Sequence, residues 1–245
     1  MSTAVTADTA PVRVGVVDSG WDWSIADARL ETGVGLVSSA EGLPVLEWSA
    51  NTQDQVGHGT GCSDVILQVA PEARIVPIRV FGETLETSPA ILVEAIRWAV
   101  LHDLRLVNLS LGTVRSDTLG ILYSVCEWAR QRGTTIVAAA GARAEDTFPA
   151  IFEPVIGVAS ATTDERFAIS FHADRALDCE ARGVHFARGL GGVERMFVGS
   201  SFAAPVVTGH IARFLAARPR CTLADVRDRL AELSQQYSGG SAPHA

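Results

Sequence analysis

Three short segments of the chain carry side chains that together could activate a hydroxyl group. Asp18 ends a short apolar run, His58 stands between Gly57 and Gly59, and Ser201 follows a Gly-Ser dipeptide. A serine hydroxyl becomes an effective nucleophile when a histidine removes its proton, and a carboxylate orients that histidine and stabilises its charged form. The three segments therefore predict a nucleophile, a general base and an orienting acid.

Each segment alone has a simpler interpretation. An aspartate after a strand is usually a turn residue, a histidine between glycines is usually a capping or surface residue, and Gly-Ser-Ser before an Ala-rich run is usually a helix cap. The three together, in the chain order Asp, His, Ser, match one of the known orders of an acyl-transfer triad. The order favours the catalytic interpretation.

Strands and helices must alternate to position these residues. β-Branched runs predict strands at Arg13–Val17, Arg74–Val80, Arg105–Leu109, Thr134–Ala138 and Val155–Ala159. The run Cys62–Val69 is helical, Ser88 with Pro89 predicts a helix start, and Thr222 with Asp225 predicts a capping box. The apolar stripe of the second helix comprises Leu92, Ala95, Ile96, Ala99 and Val100. The buried face of the last helix comprises Leu223, Val226, Leu230 and Leu233.

This alternation predicts an α/β fold with a doubly wound, mostly parallel sheet flanked by helices. A single domain is expected over residues 12–234, with a flexible N-terminus at 1–11 and a flexible tail at 235–245. In such a sheet the functional site lies beyond the carboxyl ends of the strands.

Composition narrows the partners and the compartment. A net charge of −8 over 245 residues disfavours nucleic acid or an anionic membrane as the main partner. The sequence has neither an apolar run of 18 residues nor a secretory signal, which predicts a cytoplasmic protein. The four cysteines lack metal-ligand spacing, so we expect reduced thiols and no metal site.

The segments around the three residues resemble those of subtilisin-like (subtilase) serine proteases. The third reads Gly-Ser-Ser-Phe-Ala-Ala-Pro-Val-Val-Thr-Gly over residues 199–209, where the family has Gly-Thr-Ser-Met-Ala-Ala-Pro-His-Val-Ser-Gly. Segments 70–73, 108–112, 148–150 and 155–159 also have family counterparts in the same order. The resemblance covers about Val12 to Leu233 and implies the subtilisin-like fold.

The resemblance also implies roles for individual residues. Asp18, His58 and Ser201 would form the triad. Ser110, Leu111 and Gly112 would pair with the substrate backbone as an added strand. The rest of the substrate-binding set would comprise Ala140, Gly141, Arg143 and Thr147.

One residue departs from the family pattern in the oxyanion region. Ala142 stands where the family has an asparagine whose amide is the second oxyanion donor, beside the backbone N–H of Ser201. Loss of that donor from subtilisin itself lowers kcat by about 10²–10³-fold. Arg143 or a rearranged asparagine is a candidate substitute, and slow, selective proteolysis is expected.

Further departures concern the specificity pocket and the residue below His58. Arg143 at the rim and Thr147 near the floor would disfavour a basic side chain and shorten the pocket; both are alternatively ordinary loop residues. Cys62, four residues after His58, is expected to be a packed core thiol rather than a nucleophile.

The sequence thus predicts a selective, intracellular serine endopeptidase that processes a peptide or protein substrate, for which a ribosomally made precursor peptide is one setting. Two alternatives stay open: a non-catalytic peptide-binding protein, and a triad enzyme that performs transpeptidation or macrocyclisation. No cofactor is expected, and the sequence gives no recognisable Asp/Asn-rich loop for structural calcium.

Overall fold

The computed structural model describes residues 11–38, 46–141 and 147–239. The strands in these ranges are β1 (Arg13–Asp18), β2 (Val34–Ser38), β3 (Leu46–Ser49), β4 (Arg74–Arg79), β5 (Leu106–Leu109), β6 (Thr135–Ala139), β7 (Val155–Ala161), β8 (Ile169–Phe171), β9 (Cys179–Arg182), β10 (Val184–Arg188) and β11 (Glu194–Val198). The α-helices are α1 (His58–Val69), α2 (Pro89–Leu101), α3 (Leu119–Gln131), α4 (Ser200–Ala217) and α5 (Leu223–Gly239).

Nine strands form one sheet in the order β3-β2-β4-β1-β5-β6-β7-β9-β8. The pairs from β2 through β9 in that order are parallel, and the two outermost pairs, β2–β3 and β8–β9, are antiparallel. The prediction of a mostly parallel sheet is confirmed. Strand β1, which ends at Asp18, therefore lies between β4 and β5 in the interior of the sheet.

Helices cover both faces of the sheet, which explains why its central strands are largely apolar. Helices α1, α4 and α5 bury residues such as Ile66, Val206 and Leu230 against one face. Helices α2 and α3 bury residues such as Leu92 and Leu122 against the other. Two apolar cores, one on each side of the sheet, hold the ends of the strands in place.

The strand that leads into Ser201 lies outside this sheet. β11 pairs antiparallel with β10 in a separate two-stranded ribbon, joined by the turn that contains Leu190. The Gly-rich segment 189–192 is therefore the loop before the strand of Ser201. The two-stranded ribbon itself has no clear signal in the sequence.

Helix starts follow the predicted capping chemistry. The Ser88 hydroxyl accepts the backbone N–H of Ile91 at 3.3 Å, with Pro89 in the first turn of α2. At α5, Thr222 N–H donates to Asp225 at 2.7 Å while the Asp225 N–H donates to the Thr222 hydroxyl at 3.2 Å. Each cap supplies partners for N–H groups that the helix leaves unpaired.

Two boundaries differ from the predicted ones. Helix α1 begins at His58, one turn before the predicted run at Cys62. Helix α5 continues to Gly239, beyond the domain end expected at residue 234, because the Tyr237 ring packs 6.2 Å from the ring of His210. Residues 1–10 and 240–245, which fall in the two segments expected to be flexible, lie outside the described residues.

Candidate active site

Asp18 places its carboxylate at the carboxyl end of an interior strand. The residue is completely buried, and its Oδ1 accepts the backbone N–H of Ser19 at 2.7 Å. His58 Nδ1 lies 2.8 Å from Asp18 Oδ1 and 3.0 Å from Asp18 Oδ2. The Asp18 carboxylate thus contacts His58 Nδ1, which is the position that an orienting acid occupies.

Glycines flank His58 because the start of α1 packs tightly against neighbouring backbone. Gly57 has a φ of +89°, a conformation that favours glycine. A Cβ on Gly59 would lie 2.5 Å from the carbonyl oxygen of Gly20, in the loop after Asp18. The glycines therefore let the first turn of α1 approach β1 closely enough for His58 to reach Asp18.

Asp54 fixes the same helix start from the other side. Its Oδ1 accepts the N–H of Gly57 at 2.7 Å, and its Oδ2 accepts the N–H and the hydroxyl of Thr60 at 2.9 and 2.7 Å. This buried residue is not among those predicted from the sequence. Its signal is an aspartate three residues before the glycine that precedes a helix, a spacing at which a carboxylate caps free N–H groups.

The pairing with Asp18 raises the pKa of His58 above its ordinary value. Burial alone would lower that pKa, but the negative charge of Asp18 and its hydrogen bonds outweigh burial. The site therefore stabilises the imidazolium form, which is the form that a histidine adopts after it accepts a proton.

Ser201 is the second residue of α4, and the start of that helix is tied to two strand ends. Gly199 precedes the helix with a φ of +134°. The Ser200 hydroxyl donates to the carbonyl of Ala140 beyond β6, and the Ser110 hydroxyl donates to the carbonyl of Ser201 at 2.7 Å beyond β5. The backbone N–H of Ser201 lies in the first turn of α4, where the helix supplies no acceptor four residues earlier.

The next residue, Phe202, places the start of α4 beside His58. Its ring meets the imidazole edge-on at a centroid separation of 5.0 Å. Among the residues that the structure describes, Ser201 Oγ makes no hydrogen bond to His58, so that contact stays a prediction. Such contacts are often long before substrate binds.

Cys62 lies beneath His58 as a buried, protonated thiol. Burial raises its pKa, and its Sγ donates towards Ser110 Oγ at 3.3 Å and the Ser201 carbonyl at 3.4 Å. A thiol in this state is a hydrogen-bond donor rather than a nucleophile. Asp18, His58 and Cys62 bring ligand atoms within 4.8 Å of one another, but a metal ion there would have to displace the Asp18–His58 hydrogen bond.

The predicted substrate-binding residues that the structure describes belong to two segments, one after β5 and one after β6. Among the described residues, the main-chain N–H and C=O groups of Ser110, Leu111 and Gly112 have no backbone hydrogen-bond partner. A segment of this kind can pair with an extended peptide. Gly141 belongs to the second segment, beyond the end of β6.

Thr147 occupies the space between the two segments. The N–H of Gly141 donates to Thr147 Oγ1 at 2.9 Å, and a Cβ built on Gly112 would lie 2.6 Å from Thr147 Cγ2. The buried threonine side chain therefore contacts both segments. Ala142 and Arg143, predicted at the oxyanion region and the pocket rim, lie outside the described residues.

Residues 10–242 match the subtilase family. The chain belongs to the subtilase family. It is 31% identical over 239 residues to subtilisin E of Bacillus subtilis (strain 168), a match that covers 94% of this chain and 62% of that protein. The chain thus spans less than two thirds of the length of this relative.

Solved structures share the subtilase fold. A cold-adapted subtilisin-like serine proteinase superimposes with a TM-score of 0.74 at 23% identity, covering 92% of this chain and 82% of the other. A lanthipeptide protease gives a TM-score of 0.68 at 20% identity, covering 89% of this chain and 78% of the other. An epidermin leader peptide processing serine protease from Staphylococcus aureus gives a TM-score of 0.73 at 17% identity, covering 92% of this chain and 69% of the other. In the described part of the chain, no helix combines the length and apolarity needed to cross a membrane.

Proposed function

We propose that this subtilase is a serine endopeptidase that acts through an acyl-enzyme. The observation that carries the proposal is the pair of 2.8 and 3.0 Å contacts between His58 Nδ1 and the buried Asp18 carboxylate, at a helix start that faces the first turn of α4. This is the arrangement that lets a histidine act as base and then as acid.

The proposed reaction uses each group in turn. Ser201 Oγ attacks the carbonyl carbon of the scissile peptide bond and passes its proton to His58 Nε2, while Asp18 holds the Nδ1–H. His58 then protonates the leaving amine, which departs and leaves an ester on Ser201. Water attacks the ester, His58 accepts its proton and returns it to Ser201 Oγ. The N–H of Ser201 is one donor to the developing oxyanion.

We further propose that the substrate carries a small apolar or acidic side chain on the acyl side of the scissile bond. The side chain of Thr147 supports this, because it fills space between Gly112 and Gly141. Arg143 at the expected rim would disfavour a cationic side chain by like-charge repulsion. A narrow pocket of this kind suits a selective protease rather than a general one.

The natural substrate that we propose is a precursor peptide from which a leader segment is removed inside the cell. Two of the structural neighbours are described as a lanthipeptide protease and a leader peptide processing protease, which supports this setting by analogy. The four cysteines are free thiols, three of them buried, as suits a reducing compartment.

Incubation with a mixed peptide library, followed by mass spectrometry, tests the proposal. Cleavage by hydrolysis adds the mass of one water across the two products, whereas a macrocyclised product lacks it. The Ser201→Ala variant is the matched control. Products with added water that vanish in Ser201→Ala support an endopeptidase, and binding without any product would favour the peptide-binding alternative that Ala142 suggests.

A further inference from the structure

The carbonyl group of Ser201 lacks the donor that a helix normally supplies. In an α-helix each C=O accepts the N–H four residues later. For Ser201 that residue is Pro205, which lies inside α4 and has no N–H. A main-chain carbonyl at this partly buried helix start therefore needs a donor from elsewhere in the fold.

Strand β5 supplies the closer of two donors through a side chain just beyond its end; the other is the Cys62 thiol, at 3.4 Å from the same carbonyl oxygen. The Ser110 hydroxyl donates to the Ser201 carbonyl at 2.7 Å. A hydroxyl has one proton, so this donation leaves Ser110 Oγ only as an acceptor for its remaining neighbours. The thiol of Cys62 and the amide of Asn108 are those neighbours, at 3.3 and 2.9 Å.

Asn108 gives the chain of hydrogen bonds one direction. Its Nδ2 donates to Ser110 Oγ at 2.9 Å, and its Oδ1 accepts the hydroxyl of Thr208 at 2.9 Å. The side chains of Thr208, Asn108 and Ser110 are all buried, so each proton has few other acceptors. The protons therefore point from Thr208 through Asn108 and Ser110 to the carbonyl of Ser201.

These hydrogen bonds join two turns of α4 to β5 and the residue after it. Asn108 and Ser110 are two residues apart and project to the same side of the extended chain. Ser201 and Thr208 are seven residues apart, which puts them on the same face of α4 about two turns from each other. The network thus holds the helix at two points along its axis.

We propose that Asn108 is a positioning residue that acts through Ser110 to hold Ser201 in its reactive orientation. The inference rests on the proposed function, in which Ser201 is the nucleophile. The oxygen that attacks and the N–H that stabilises the oxyanion belong to the same residue as the anchored carbonyl. A tilt of the first turn of α4 would move both away from His58 and the scissile carbonyl.

A pair of variants at Thr208 tests the far end of the network. Thr208→Val removes the hydroxyl at nearly constant volume, whereas Thr208→Ser retains it. Loss of one hydrogen bond predicts a rate of Ser201 labelling by a fluorophosphonate about tenfold lower in Thr208→Val, with Thr208→Ser within about twofold of the native chain. Thr208→Val should likewise lower kcat on a peptide substrate and leave KM unchanged, whereas Thr208→Ser should change neither.

A double-mutant cycle tests the near end. Pro205→Ala restores an N–H that can donate to the Ser201 carbonyl. Ser110→Ala should therefore lower the labelling rate about tenfold in the native background and no more than about twofold in the Pro205→Ala background. Equal losses in both backgrounds would overturn the inference.

Thermal unfolding separates positioning from simple destabilisation. If Thr208→Val lowers Tm but labels as fast as the native chain well below Tm, the network is only structural and the inference fails. If the native chain is not labelled at all, the proposed function fails and takes the inference with it. Labelling of the native chain together with unaffected variants overturns the positioning role alone.

Discussion

His58 Nδ1 lies 2.8 Å from one oxygen of the buried Asp18 carboxylate and 3.0 Å from the other. The carboxylate cannot leave this contact without losing its charge partner in a buried environment, and its negative charge favours the protonated form of His58. Their interaction sets the pH at which His58 can accept a proton.

The first prediction concerns pH. Only neutral His58 can act as a base, and Asp18 raises the pKa of His58 above its ordinary value near 6.5. We therefore expect kcat/KM to fall as pH decreases through a point above 6.5. In Asp18→Asn the point should move to lower pH, and the maximal rate should drop by about 10⁴-fold. A profile of kcat/KM against pH for both chains measures this shift. If kcat/KM of the variant fell at the same pH as that of the native chain, another group would control the rate.

The second prediction concerns the pocket between Ser110–Gly112 and Gly141. Thr147→Gly removes the side chain that contacts both segments. Substrates with a larger acyl-side residue, such as leucine or phenylalanine, should therefore gain in relative kcat/KM. A difference of one methylene group in a pocket changes the ratio of kcat/KM between two substrates by about 10–200-fold. Thr147→Val, which keeps the volume and removes the acceptor for the Gly141 N–H, is the control and should keep the native preference. A peptide library measures both, and an unchanged preference in Thr147→Gly would place the pocket elsewhere.

The third prediction concerns the missing oxyanion donor. Ala142→Asn should raise kcat if the site lacks this donor, by at most about 10²-fold because the surrounding loop did not evolve to aim an amide. Steady-state kinetics on a cleaved library peptide gives the answer. An unchanged or reduced kcat would show that another group already fills the role, and Arg143→Ala is then the variant that identifies it.

The fourth prediction concerns the loop before the strand of Ser201. Asp22 accepts the N–H of Gly191 at 2.6 Å and that of Ser24 at 3.0 Å. Burial would raise the pKa of Asp22, but these hydrogen bonds lower it to about 2. The stabilisation is thus fully present above the ordinary carboxyl pKa of 3.8 and is lost as pH falls towards about 2.

Asp22→Ala should therefore lower the unfolding free energy by about 1–3 kcal/mol at neutral pH. The difference from the native chain should shrink as pH falls from about 4 to 2. Chemical denaturation across this range measures it, with Asp164→Asn, an exposed carboxylate, as the control. A difference that does not change with pH would show that the charge of Asp22 contributes nothing to holding the loop.

Local chemistry was predictable from the sequence wherever neighbours in the chain supply it. The caps at Ser88 and Thr222, the apolar stripe of α2 and the strand that ends at Asp18 depend on residues within a few positions of each other. The motif order pointed to Asp18 as the residue beside His58 without any view of the sheet, because a triad constrains residue types as well as positions.

Long-range packing set the features that the sequence did not reveal. The β10–β11 ribbon has exposed apolar residues on its strands and lacks a simple alternating pattern. The position of Thr147 between two segments and the link from Thr208 to Asn108 join residues far apart in the chain. The one local signal for the link is a polar Asn108 in an otherwise apolar strand, a place where a buried partner is required.

The site of covalent labelling by a fluorophosphonate shows whether Ser201 is the nucleophile of the triad. Tandem mass spectrometry of the labelled chain should place the adduct on Ser201, with the labelling lost in Ser201→Ala and strongly slowed in His58→Ala because the hydroxyl then has no base. Labelling at another serine, or at Ser201 with the same rate in His58→Ala, would contradict a triad built from Asp18, His58 and Ser201.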